Sequence, residues 1–443
     1  MDQQTAYSKP VTLGNILKFA VPTIAMSVFM SFYTMVDGLF VSNLIGTEAL
    51  SAINLTAPVI QLVTAISTML ATGGSAVIMK KMGENKPKEA REDFTFLILV
   101  NVLVGLVMCA LGYSVMDSIF GGMGLSPEVA GYCTEYLSRY LLFTVPILLM
   151  NNFTLYMIAS EKATLSLVCS VSGGVLNMAL DYVFIALLDM GIGGAAVATG
   201  MGYSVTAVVG MFVFCRRKSL LHFTRPAFRF KVLAGAASNG CSEMATTLVT
   251  GIITMMFNWT MLRYVGEDGV AAVTIIMYVL MFASSLYTGY SYGVAPMLSY
   301  YYGEKNRQKL KKLVSTSLKV IAVISLATVA LSFAATKPLV SIFARPDNPV
   351  YGLAVTGNRI CTLALLFIGF NIFASGMFTA LSNGVVSAVL AFLRSFVFML
   401  ITMLVFPVFL GVNGIWLATP AAELMALAVS AFMFLTCKKR YHY

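Results

Sequence analysis

Two aspartates stand where carboxylates are costly. Asp37 sits in YTMVDGLFV and Asp181 in GGVLNMALDYVFI, each inside an apolar run long enough to cross a bilayer. A charge at the bilayer centre costs about 2.5–3.5 kcal/mol on insertion scales, so such a group is by default a functional candidate. The chemistry open to it is cation handling: a buried carboxyl beside a second one takes up a proton readily, or holds Na⁺ together with amide and hydroxyl oxygens. Asn177 lies one helical turn before Asp181, and Thr199 opens the next apolar run. The other reading of the two aspartates, as hydrogen-bonded packing groups, stays open at this level.

Three more charges lie deep in apolar runs: Glu243, Arg394 and Glu423. Glu243 is placed to meet a cationic substrate or a second coupling ion. Arg394 and Glu423 fall at comparable depth and are expected to form a structural ion pair. Pro22 removes one helical hydrogen bond in the first run and is either a hinge or a static kink. Tyr33, Met256, Tyr278, Tyr287 and Tyr290 are candidates for a cavity that accepts apolar cations, because aromatic faces and Met thioethers adapt to varied ligands.

These residues must be positioned by helices in lipid. Of 443 residues, 58% are hydrophobic and 11% charged, against about 25% charged in soluble domains. The mean hydropathy is +0.85. Apolar runs of helix-spanning length recur throughout, whereas a β-barrel would show short alternating segments. The first run, from near Leu13, is too long for the apolar core of a signal peptide, so it is expected to be retained. Twelve spans are predicted, at 14–42, 50–79, 93–115, 132–157, 165–188, 194–215, 232–262, 270–299, 313–335, 352–380, 386–408 and 413–437.

Of the 29 Lys and Arg, 23 fall at the chain ends, after even-numbered spans or within two turns of these (Lys18 and Lys319), three after odd spans and three deeper inside spans. Basic loops stay cytoplasmic, so both termini are expected inside the cell membrane. The net charge of +10 is therefore topological, and no nucleic-acid partner is implied. Seven scattered Cys without a C-x-x-C pair, and His222 and His442 in polar segments, exclude zinc chemistry and call for no cofactor. No phosphate-binding G-x-x-x-x-G-K-[ST] occurs, so energy must come from an ion gradient or the membrane potential.

A shift of 220 residues lays one half on the other. LIGTEALSAI falls on YVGEDGVAAV, GGSAVIMKKMGE on GVAPMLSYYYGE, GIGGAAVAT on GVNGIWLAT, Arg139 on Arg359 and Asn151 on Asn371. Six spans per half insert with one orientation, which is the parallel repeat of a two-lobed secondary transporter. The expected fold is thus an all-α integral membrane protein with 12 transmembrane helices in two pseudo-symmetric six-helix lobes. Residues 1–215 form the N-lobe, 216–231 a cytoplasmic linker and 232–443 the C-lobe. Under the 220 shift Asp37 and Asp181 fall on Phe257 and Ile401, so the lobes are chemically unequal.

The stretches VPTIAMSVFMSFYTMVDGLFVSNLIG and GGVLNMALDYVFI, with GGSAVIMKKMGENKPKEA, GVAPMLSYYYGEKN and GIWLATPAAE, resemble the multidrug and toxic-compound extrusion (MATE) family over nearly the whole chain. That resemblance implies two six-helix lobes around a central cavity and antiport of organic, mostly cationic or amphiphilic compounds against H⁺ or Na⁺. One branch couples through a proline-kinked first helix and an N-lobe cluster. Carried over, these are Pro22 and Asp37, Asn177, Asp181 and Thr199, with Tyr136 and Asn151 nearby. A second branch pairs a Glu in span 7 with an Asp in span 10. Here Glu243 is present, but 352–380 holds no Asp, which favours the N-lobe.

Three other classes fit the sequence less well. A lipid-linked precursor flippase would line its cavity with several cations, and only Arg394 lies deep. An intramembrane aspartyl protease needs a Gly-x-Gly-Asp setting, absent at MVDGLF and ALDYVF. A channel would repeat its carboxylates in both halves. The reading is therefore not an enzyme, and a monomer is expected.

Overall fold

The computed structural model describes residues 6–44, 47–122 and 125–441, and between 37 and 51 the course of the backbone only. In lipid every backbone polar group must be satisfied within the chain, so spanning segments are helical. The helices are α1 Leu13–Leu44, α2 Thr47–Gly83, α3 Pro87–Gly122, α4 Pro127–Leu142, α5 Thr144–Ala159, α6 Ala163–Asp181, α7 Gly191–Cys215, α8 Phe230–Tyr264, α9 Glu267–Gly303, α10 Arg307–Ala334, α11 Thr336–Ser341, α12 Pro349–Thr362, α13 Leu365–Ala380, α14 Gly384–Phe392, α15 Phe398–Leu410 and α16 Val412–Tyr441. π-helical turns at Tyr182–Leu187 and Leu393–Val397 follow α6 and α14.

Among the described residues, ten helical stretches are each long and apolar enough to span, and up to twelve if each of two bent pairs is one span. The spans expected over 132–157 and 352–380 are each made of a bent pair of helices. α4 and α5 meet at 53°. Pro146, on the first turn of α5, has no N–H for the Leu142 carbonyl and its ring crowds that carbonyl. α12 and α13 meet at 51° without a proline; there the chain tightens through Leu363 N–H to Ile360 (3.1 Å) and Ala364 N–H to Cys361 (3.0 Å).

The helices pack as two compact units. One comprises Phe29–Gly240, the other Met1–Val28 with Cys241–Tyr443. The contact boundaries therefore fall inside α1 and α8 rather than in the linker.

In the first unit, the start of α8 lies against α2 with almost no space between the backbones. A Cβ on Gly73 would stand 1.9 Å from the Ala236 carbonyl oxygen, and one on Gly240 1.9 Å from that of Met69. In the second unit the start of α1 lies against α9 in the same manner: a Cβ on Gly289 would stand 2.5 Å from Ile24 Cα, and one on Gly293 2.8 Å from Ala20 Cα. Small residues of this kind are how helices associate where no hydrophobic effect drives them together.

The linker is a packed strap on the first unit. Leu221 is buried, Phe223 stacks on Phe94 at 5.3 Å, and the Arg91 Nε donates to the Leu220 carbonyl at 3.0 Å. Arg229 donates to Glu92 (2.6 Å) and to the buried Asp93 (3.1 Å), which also receives Lys81.

The repeat is visible element by element, and its shift drifts. α2 and α9, and α3 and α10 at their starts, keep 220 residues. Gly191 and Gly411, both at positive φ (57° and 56°), keep it too. Between them the shift is 221: Glu161 and Ser382 share a positive φ, and Ser166 Oγ donating to the Thr154 carbonyl is matched by Ser387 Oγ donating to that of Ser375. Asn371 therefore corresponds to Met150, not Asn151, in correction of the ungapped superposition.

Candidate functional site

In the first unit the fully buried Asp181 ends α6. The π-helical turn begins at the next residue, a feature that often marks functional positions. Asn177, 1% exposed, lies on the same face one turn earlier and donates from Nδ2 to Thr199 Oγ1 on α7 at 3.3 Å. α6 and α7 approach this closely because Gly173 faces Gly202; a Cβ on Gly202 would stand 2.8 Å from the Gly173 carbonyl oxygen and 2.9 Å from Asn177 Cβ.

Beside Asn177 a narrow pocket opens, lined by Met30 and Tyr33 of α1, Met150 of α5, Gly173 and Gly174 of α6, and Tyr203 and Thr206 of α7. Two Met thioethers and two phenols stand around a carboxamide there, with room for about one water molecule. Asn151 turns elsewhere and donates to Ser67 Oγ on α2 at 3.0 Å. Tyr136 is buried and stacks on Tyr140 at 6.2 Å. The backbone of Asp37 lies on α1, and its side chain is outside the described residues. α1 runs unbroken through Pro22, where the Lys18 carbonyl lacks its usual donor; Thr23 Oγ1 bonds back to the Ala20 carbonyl at 2.9 Å.

In the second unit Arg394 and Glu423 are brought together. Arg394 Nε donates to both Glu423 oxygens, at 2.8 and 3.0 Å. Asn371 Nδ2 adds a 2.8 Å bond to Oε2 and a 2.9 Å bond to the Glu423 carbonyl, and Ser430 Oγ donates to Asn371 Oδ1 at 3.0 Å. Glu243 on α8 is half-buried, with Arg394 and Tyr292 in electrostatic reach.

Tyr287 and Tyr290 are buried in the helix packing. The Tyr287 hydroxyl lies 2.7 Å from Thr328 Oγ1 and donates to the Leu365 carbonyl at 3.0 Å; the Tyr290 hydroxyl donates to Ser317 Oγ at 2.9 Å. Tyr278 stacks on Phe343 at 6.0 Å. Met256 packs against the core of its unit.

Sequence reasoning missed Met30, Met150, Tyr203, Thr206, Asn371 and Ser430. The paired glycines of GGVLN and TGMG were the available signal for the pocket, since closely spaced Gly on neighbouring spans announce backbone contact.

The comparisons with known proteins agree with this geometry. The MatE family model matches residues 22–183 and again 244–405. The chain is similar to the multidrug export protein MepA of Staphylococcus saprophyticus, at 22% identity over 98% of this chain and 96% of the relative. It is similar to the crystal structure of MATE in complex with MaL6, at 25% identity and TM-score 0.90, covering 96% and 95% of the two chains. It also shares the fold of an outward-facing multidrug resistance MATE family transporter, at TM-score 0.89 and 24% identity, with 96% and 95% covered.

Proposed function

The chain belongs to the MatE family of membrane transporters, and from that premise we propose that it exports organic, mostly cationic compounds in exchange for H⁺ or Na⁺. The carrying observation is Asp181: a fully buried carboxyl in an apolar helix, with the Asn177–Thr199 pair on the same face and the Met- and Tyr-lined pocket adjoining. Asp181 and Asp37 take the coupling ion, with Asn177 and Thr199 as neutral ligands and Tyr136 and Asn151 in support. The ion changes the state of α1 about Pro22, and the drug leaves because the two states bind it unequally; a ligand with equal affinity for both would shift nothing.

Access alternates by rocking of the two halves, in a monomer of the cell membrane with both termini cytoplasmic. Glu243 assists cationic cargo. The names of the MepA relatives support drugs as cargo. A flippase for lipid-linked precursors would need cations open to a pyrophosphate, and the deep guanidinium of Arg394 is already bonded to Glu423.

The deciding experiment is efflux of a fluorescent organic cation from cells carrying the wild type, Asp37→Asn, Asp181→Asn or empty vector, with and without Na⁺ and a protonophore. Export by the wild type and none by the two variants at equal membrane levels supports the reading, and the ion dependence names the ion. Export by both variants makes the aspartates structural and overturns it.

A further inference from the structure

The residues around the pocket of the first unit have counterparts in the second, and there an ion pair stands among them. With the shift of 221 residues that relates α5 to α13 and α6 to α14, and of 220 that relates α7 to α16, Met150, Gly173 and Tyr203 correspond to Asn371, Arg394 and Glu423. All three residues of the first half line the pocket. A shift of 220 for α6 would place Arg394 on Gly174, which lines the same pocket. Where the first half has a glycine packed closely on Gly202, the second half carries a guanidinium.

The carboxylate that meets the guanidinium has partners besides it. Asn371 holds Glu423 by two bonds, to the backbone carbonyl and to Oε2, and Ser430 holds Asn371. The Glu423 side chain is 8% exposed and that of Arg394 19%, so the cation is the more accessible partner. Its hydrogen bonds to Glu423 run from Nε. A carboxylate with a fixed amide beside it suits a planar N–H donor over a spherical or methylated cation.

We propose that Glu423, Asn371 and Ser430 form a guanidinium-binding site whose occupant is the protein's own Arg394, and that removing this tethered side chain opens the site to free guanidinium-class cations. This inference stands apart from the coupling role of Asp181, and its test does not use transport.

The test is thermal unfolding of the purified protein with methylguanidinium, tetramethylammonium or KCl added. Arg394→Gly is expected to lower Tm, because a buried carboxylate loses its counter-charge. About 10 mM methylguanidinium, roughly tenfold above a millimolar Kd, then raises its Tm by about 1.5 °C, while the other two salts do not. The wild type gives no such response, its site being occupied, and Arg394→Gly/Glu423→Gln gives none, the carboxylate being lost. Arg394→Gly/Glu423→Tyr, which installs the residues of the first half, unfolds close to the wild-type Tm without a response.

Equal stabilisation of Arg394→Gly by all three salts, or a response that survives Glu423→Gln, overturns the proposal. If Arg394→Gly cannot be purified, it is prepared in methylguanidinium; recovery of folded protein there and not in tetramethylammonium supports the site, and failure in both overturns it.

Discussion

At the residue scale, the weight falls on one carboxyl and the partners that hold its surroundings. Asp181 ends α6 against a π-helical turn, and Asn177 reaches Thr199 at 3.3 Å. Asp181→Asn keeps the size and removes the charge, so it is expected to abolish ion-driven efflux in proteoliposomes while the protein remains folded. Asp181→Glu keeps the charge one methylene further out and should retain a measurable fraction. Efflux by Asp181→Asn at the wild-type rate would remove Asp181 from the coupling machinery. Thr199→Val deletes one neutral hydrogen bond worth about 1 kcal/mol. It is expected to raise the ion concentration for half-maximal efflux roughly fivefold; an unchanged ion dependence would make the Asn177–Thr199 bond a matter of packing.

At the scale of elements, two glycines of one helix make opposite demands. Gly202 sits where a side chain would strike Gly173 and Asn177 on α6. Gly202→Val should therefore cost about 1–3 kcal/mol as overpacking and disturb the pocket. Gly191 has nothing within 4 Å of a built Cβ but a φ of +57°, so Gly191→Ala should cost only about 1 kcal/mol of backbone strain and leave cargo affinity unchanged. Denaturation and ligand-binding curves for the two variants separate the effects; similar losses of affinity in both would sink the distinction.

Pro22 is the other element-scale case. Pro22→Ala gives the Lys18 carbonyl a donor and stiffens α1. The expected result is slower turnover with Tm equal to or above that of the wild type. Undiminished turnover would make the proline a static feature.

At the scale of the whole molecule, the connection between the halves carries an ionic clamp. Asp93 is fully buried between Lys81 and Arg229, and Arg229 is the linker's contribution. Its side chain is 36% exposed, which tempers its worth relative to a fully buried pair. Arg229→Ala should therefore lower stability by about 1–2 kcal/mol and render the 216–229 segment open to protease. Resistance to proteolysis equal to that of the wild type would show that Leu221 and Phe223 hold the strap without the ions.

Much of this was legible in the amino-acid order. Helices follow from apolar runs in which backbone groups must bond within their own segment. The parity of spans follows from where Lys and Arg collect, and the charged residues that matter stand out because a charge in lipid is rare. These are local properties, readable one segment at a time. The breaks in α4–α5 and α12–α13, the change of shift from 220 to 221, the pocket beside Asn177, and the bracing of Glu423 by Asn371 were decided only in the folded chain. Each depends on which side chains meet across segments distant in sequence: Gly173 on Gly202, Asn371 on Glu423, Arg229 on Asp93. No helical period encodes such meetings, because a backbone hydrogen bond is satisfied within four residues whereas a packed side chain is satisfied by whatever helix lies against it.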